Sequence, residues 1–140
     1  MNISVEQVDA AVPVTVMSLQ GELDASCYLD VIERAKKLYQ AGTRNLLLDL
    51  TEMLFMASSG LVSLHSVAMI MRGQEPPDPE AGWGAFHAIA NELEQGAGNE
   101  AHCKLLNPQP RVIKTLATTG FDKLLAMYTD RQAALESFSA

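Results

Sequence analysis

Apolar and polar positions alternate along the chain with two different periods. Val14-Thr15-Val16-Met17-Ser18-Leu19, rich in β-branched and apolar side chains, is the first strong strand signal. Ile3 to Val8 is a weaker one before it, and the two together predict a hairpin. Gly21-Glu22-Leu23-Asp24 then breaks the strand pattern. From Ala25 onward Tyr28, Leu29, Ile32, Ala35, Leu38 and Tyr39 recur at helical spacing, with Gly42 as the natural stop. Asn45 to Leu50 is a near-continuous apolar run of the kind expected for a central strand covered on both faces, which makes a βαβ unit the simplest reading.

After a short loop, Ser58-Ser59-Gly60 opens a segment in which Leu61, Leu64, His65, Ala68, Met69 and Met71 fit a second helix ending at Gly73. Between Gln74 and His102 the regularity stops: Pro76, Pro77 and Pro79 alternate with Glu75, Asp78 and Glu80, and glycines follow at 82, 84, 96 and 98. Within this stretch Trp83, Phe86, Ile89, Ala90 and Leu93 match a short amphipathic helix, so the segment reads as an insertion carrying a docking helix. Regular structure resumes with a strand at Cys103 to Leu106. A helix holding Val112, Ile113 and Leu116 follows Pro108 and Pro110 and closes at Gly120. Leu124 to Tyr128 fits a last strand, and Asp130 caps a terminal helix with Ala133, Ala134, Leu135 and Phe138. Val16, Leu46, Leu48, Leu64 and Leu116 are expected in the core.

The chain has 140 residues, one domain's worth, enough to bury ~65–70% of the surface of its unfolded form. With 48% hydrophobic and 19% charged residues, it is expected to fold without staples. The formal net charge of −7 disfavours polyanions and acidic lipid surfaces, which argues against a nucleic-acid partner and against membrane association. Cys27 and Cys103 lack paired spacing and read as small buried side chains in a reducing compartment. The N-terminus lacks the basic and apolar regions of a secretion signal, and no run approaches a membrane span, so a cytoplasmic protein without membrane insertion is expected.

The position that invites chemistry is Ser58-Ser59, between the loop after the central strand and an apolar helix. Unpaired backbone N–H groups and the helix dipole favour negative charge there. One of the two serines as a simple N-cap accounts for the same pattern, and both roles are compatible. A phosphate on an exposed serine adds a charge near −2 and changes partner affinity without moving the fold. Its sign depends on the partner: repulsion from an acidic surface, attraction to a basic one.

Other functions lack their signatures. Ala57-Ser58-Ser59-Gly60 has no glycine two residues before the serine, as a G-x-S-x-G nucleophile elbow requires, and no Gly-rich loop ends in Lys-Ser/Thr. His65 falls in an apolar helical stripe, and His87 and His102 have no ligand at zinc spacing, so neither metal nor cofactor is expected. Met53, Met56, Met69 and Met71 suit core filling better than an adaptable docking surface. Asp49 reads equally as a strand-end or a loop-capping residue.

Gly21-Glu22-Leu23-Asp24, the Leu46 to Leu50 strand and Phe55-Met56-Ala57-Ser58-Ser59-Gly60-Leu61 resemble the STAS domain of bacterial anti-sigma factor antagonists. The likeness extends to Asn107-Pro108, Val112, Leu116, Gly120, Phe121 and the closing helix, leaving only about 74–102 outside it. It implies an α/β fold: a STAS-like single domain over 1–140, a mixed central β-sheet with about four helices packed against it, and an insertion before the penultimate strand. It also implies that the chain is not an enzyme, that Ser58 is phosphorylated by an anti-sigma factor that doubles as a serine kinase, and that the unphosphorylated form binds that kinase. A serine phosphatase would reset the cycle. Asp24, Ala57, Ser58, Ser59 and Gly60 would form the partner-binding rim. Ala57 stands where the family carries an aspartate.

Three functions follow from these observations: a phosphorylation-switched antagonist; a STAS-like regulatory or structural subunit of a signalling or transport complex that is not phosphorylated; and a small-molecule or nucleotide sensor with 74–102 as a lid and Trp83 as a stacking surface. Self-association stays open.

Overall fold

The computed structural model describes residues 1–75 and 101–138. Strands β1 (Asn2–Asp9) and β2 (Pro13–Leu23) form the expected hairpin, antiparallel with eight residue pairs from Asn2↔Gln20 to Asp9↔Pro13. Helix α1 (Tyr28–Gln40) crosses over to β3 (Leu46–Asp49), which pairs parallel to β2. Next come β4 (Met53–Met56) and α2 (Ser58–Met71). Past the undescribed segment lie β5 (Cys103–Leu106), α3 (Pro110–Thr119), a 3₁₀ turn (Phe121–Lys123), β6 (Met127–Tyr128) and α4 (Arg131–Ser137). The sheet is mixed and six-stranded, in the order β1-β2-β3-β5-β6, with β4 joined to β2 off that path. The proposed docking helix, with Trp83, and His87 lie outside the described residues.

Alternating side chains divide the interior into two layers. Met17 and Leu19 of β2, Leu46 and Leu48 of β3 and Leu105 of β5 face one layer, shared with Val31, Ile32 and Ala35 of α1, with α2, and with Val112 and Leu116 of α3. Val14, Val16, Leu47 and Leu106 face the other, closed by Ala134, Leu135 and Phe138 at the C-terminal end. All five expected core residues are buried. Met53, Met56 and Met71 are buried too, so these methionines fill the core. Lys104, on the thinner layer, is satisfied by the Ser137 carbonyl and hydroxyl, both at 3.0 Å, and by the Phe138 ring 4.7 Å away.

Three local expectations are corrected. Gly21 does not end β2: at φ +107 it starts a bulge between Gly21 and Glu22, after which β2 continues to Leu23 with β4 as its partner in place of β3. The loop after β3 contains a strand of its own, β4, joined by a tight Leu50-Thr51-Glu52 turn. The last strand is two residues, not five, because Phe121 to Lys123 forms the 3₁₀ turn and Leu124 and Leu125 pack into the core instead of extending. Asp49 proves to be a loop-capping residue: its Oδ1 accepts from the Thr51 N–H at 3.0 Å and the Thr51 hydroxyl at 2.5 Å.

Candidate functional site

Helix α2 is apolar all round, and Gly60 to Ala68, Ile70 and Met71 are buried, so it is a central helix and not a surface one. Its first turn reaches solvent: Ser58 is exposed, Ala57 and Ser59 are half-buried, and Gly60 is buried; beyond it only Met69 is half-buried within the helix. The N-cap is Ala57, with φ −80 and ψ 172, and no side chain caps the helix. Neither serine is therefore the cap. Both lie one step inside the helix, at the first two helical positions, where their N–H groups have no intrahelical acceptor. Their hydroxyls make no hydrogen bond among the described residues.

Backbone pairing places this turn. Parallel pairing of Leu23 with Met56 continues into a bond from the Ala57 N–H to the Leu23 carbonyl at 2.9 Å, so the ends of β2 and β4 emerge side by side. Leu23 leads into Asp24, Met56 into Ala57 and Ser58. A β-carbon on Gly60 would fall 2.6 Å from Met56 Cγ and 3.0 Å from Leu23 Cγ; glycine is what allows the first turn of α2 to sit this close to the strand ends. The Ser63 hydroxyl donates to the Tyr28 carbonyl at 2.6 Å, tying α2 to the start of α1.

Asp24 makes a tight turn into α1. Its Oδ1 accepts from the Ser26 hydroxyl at 2.5 Å and the Ser26 N–H at 2.9 Å, while its carbonyl accepts from the N–H groups of Cys27 and Tyr28. The Ser26 hydroxyl, and after it the Ser26 N–H, hold the carboxyl below the usual aspartate range, so it is ionised at neutral pH. The expected rim residues thus meet at one end of the sheet, with Gly60 beneath the others, facing Met56 and Leu23 and not solvent.

The residues that sequence reasoning missed are next door. In β4, Met53 and Met56 point inward while Leu54, 55% exposed, and Phe55, 37% exposed, face solvent. Helix α3 packs beside β4 and adds exposed Ile113, with the Arg111 guanidinium 6.0 Å from the Phe55 ring centre. The signal was the Met53-Leu54-Phe55-Met56 run: in a strand its side chains divide between the two faces, and unlike β3 and β5 this strand is covered on one face only. Among the described residues no cluster of three or more His, Cys, Asp or Glu can hold a metal ion, and no helix is long and apolar enough to cross a membrane.

The sequence itself finds no counterpart, since no family model and no curated protein matches it. Its architecture does. An anti-sigma factor antagonist from Mycobacterium paratuberculosis superposes with a TM-score of 0.64 at 19% identity, over 96% of this chain and 90% of that one. The chain has the SpoIIAA-like STAS fold. A Thermotoga maritima structure described as a candidate anti-sigma factor antagonist gives 0.61 at 16% identity over 96% and 92% of the two chains. SpoIIAA, a cell fate determinant of Bacillus, in its phosphorylated form gives 0.50 at 22% identity over 95% and 96%. At these identities the likeness is one of fold, and what the STAS sheet carries at its Asp24–Ser58 end must be argued from the side chains present.

Proposed function

We propose that the chain is a cytoplasmic protein-binding regulator of the anti-sigma factor antagonist type, not an enzyme, that docks through the Asp24–Ser58 end of its sheet and is switched by phosphorylation of Ser58. The observation that carries this reading is an exposed serine with an unengaged hydroxyl at the start of a buried helix, beside solvent-facing Leu54 and Phe55. Helix geometry receives a phosphate well, because N–H groups at the first two positions have no other acceptor and the dipole favours negative charge. The adjoining apolar side chains set the sign of the switch. A partner that covers Leu54 and Phe55 removes water from this rim, and a dianionic phosphate would have to be desolvated next to them and next to ionised Asp24. Unphosphorylated protein binds and phosphorylated protein is released. The partner is an anti-sigma factor that acts as serine kinase, and a serine phosphatase restores the binding form.

Ala57 favours a second reading. It removes the carboxylate that the family carries next to the serine, and with it a side-chain cap and a contact for a kinase. In that case the same rim is a constitutive docking surface of a STAS-like regulatory or structural subunit in a signalling or transport complex. Intact-mass measurement with site mapping on protein recovered from its native cells, wild type against Ser58→Ala, separates the two. A phosphate on Ser58 that is lost in the variant is expected for the switch; its absence across growth and stress conditions leaves constitutive docking.

A further inference from the structure

A second surface lies on the other flank of β2. Strand β1 is an edge: one side is paired continuously to β2 through eight residues, and the other pairs with no strand among the described residues. Asn2 to Asp9 contains no proline, no lysine and no bulge, three of the devices that keep an edge from pairing with another chain, and its two charges are Glu6 and the terminal Asp9. Glu6 is drawn aside, its carboxylate held by Arg131 at 2.8 Å. Above the edge, Met1 and Ile3 share a groove with Asp30, Glu33, Arg34 and Lys37 of α1. These four charged residues follow the i, i+3, i+4, i+7 spacing of one helix face, and all are exposed. Glu33 has only a solvent-exposed contact with Lys36 at 3.6 Å, and Asp30, Arg34 and Lys37 form no salt bridge among the described residues.

Their order is what selects an occupant. Along the flank the charges run acidic, acidic, basic, basic. In a parallel βαβ crossover α1 runs opposite to β2, and hence in the same direction as β1. A two-fold axis perpendicular to the sheet at this edge reverses both elements together. It sets β1 antiparallel to β1 of another copy and brings Asp30 opposite Lys37, and Glu33 opposite Arg34, twice each. We propose that the β1 edge and this flank of α1 form a two-fold interface with a second copy of the chain, a sheet continued across the dimer and covered by two complementary helix flanks. Each protomer carries net charge −7, so generic electrostatics oppose self-association and the local complementarity is what overcomes it. The inference is independent of the Ser58 reading, because β4 with Leu54 and Phe55 lies on the β3 side of β2 and stays open in such a dimer.

The test is sedimentation equilibrium on the purified full chain and four charge-swap variants. Asp30→Lys and Lys37→Glu each set like charges opposite one another, and each weakens the dimer at least ~10-fold. The double variant restores it. An equimolar mixture of the two single variants associates, since each supplies the charge the other now needs. Glu33→Arg and Arg34→Glu repeat the exchange with the inner pair, and circular dichroism melts establish that every variant is folded. A wild-type chain that is monomeric at concentrations on the order of 0.1 mM overturns the proposal. So does a dimer indifferent to the swaps, or a mixture of folded single variants that stays monomeric.

Discussion

The Ala57 N–H donates to the Leu23 carbonyl at 2.9 Å, and this one bond aligns the last residue before α2 with the last residue of β2. It fixes Ala57 in an extended conformation suited to an N-cap, yet alanine has no oxygen to offer the helix. Ala57→Asp supplies one without changing the backbone. Side-chain capping contributes about 1 kcal/mol, which in a chain of this size raises Tm by about 3–4 °C. A thermal melt checks it. No gain in Tm would mean that the first-turn N–H groups are already satisfied or that the backbone differs from the one described.

Charge added one residue later acts on function, not on folding. Ser58→Asp places a carboxylate at the first helical position, where the side chain is exposed and the dipole contributes about 0.3–1 kcal/mol in its favour. The variant is expected to melt at or slightly above wild type while losing capture of the partner kinase, and Ser58→Ala is expected to keep capture. Calorimetric titration with the kinase decides. Equal binding by both variants would remove Ser58 from the switch while leaving the rim as a docking surface.

Leu54 and Phe55 supply the apolar part of that rim. Replacing Leu54, 55% exposed, by Ser removes little buried surface, so stability should change by less than about 0.5 kcal/mol. If the side chain anchors the partner, the same substitution costs about 1–2 kcal/mol of binding, roughly a 5- to 30-fold weaker Kd. Denaturant titration and a binding isotherm measured on the same preparation separate the two effects.

What the sequence made legible is the set of elements whose periodicity is long. Helices α1 and α3 carry clear apolar faces, the central strand is an unbroken apolar run, and Asp130 caps α4 as expected, its Oδ2 accepting from the Ala133 N–H at 3.1 Å. What escaped is short and depends on tertiary pairing. Gly21 is a reliable strand breaker in isolation, but here its positive φ builds a bulge that lets one strand change partners. Four residues of β4 are too few to show a period, and its inward and outward positions do not alternate strictly. The cap was misassigned for a related reason. Ser58 and Ser59 have the favoured composition, but the backbone bond to Leu23 starts the helix one residue earlier, at a side chain with no capping group.

Gly60 shows how close the packing at the rim is. Alanine is the better helix former by about 1 kcal/mol, which alone would make Gly60→Ala stabilising. Against that, the added methyl would sit 2.6 Å from Met56 Cγ and 3.0 Å from Leu23 Cγ, atoms near the roots of buried side chains that cannot swing away. Overpacking of this kind costs about 1–3 kcal/mol, so after the gain in helix propensity a net loss of up to about 2 kcal/mol is expected in denaturant titration. A stabilised variant would show that α2 is free to lift from the strand ends.

Acid sensitivity of the rim rests on Ser26. Its hydroxyl is the largest cause of the lowered Asp24 pKa, with its N–H second, so Ser26→Ala should move the Asp24 carboxyl up toward the ordinary aspartate range while leaving the N–H bond in place. A carboxyl whose folded-state pKa is depressed stabilises the fold above the unfolded-state pKa, and that contribution is lost as pH falls through the folded value. The pH-dependent change therefore lies below about pH 4: near neutrality wild type carries the contribution in full and Ser26→Ala lacks the hydroxyl's share of it, so the variant is expected to be the less stable there and the two to converge in acid. Following the Asp24 carboxyl carbon by NMR from pH 7 down to pH 2 reads this directly. A wild-type midpoint lower than that of Ser26→Ala is the expected result. Coincident midpoints would mean that the hydroxyl does not bond to the carboxylate in solution, and that Asp24 meets a partner as an ordinary, unanchored carboxylate.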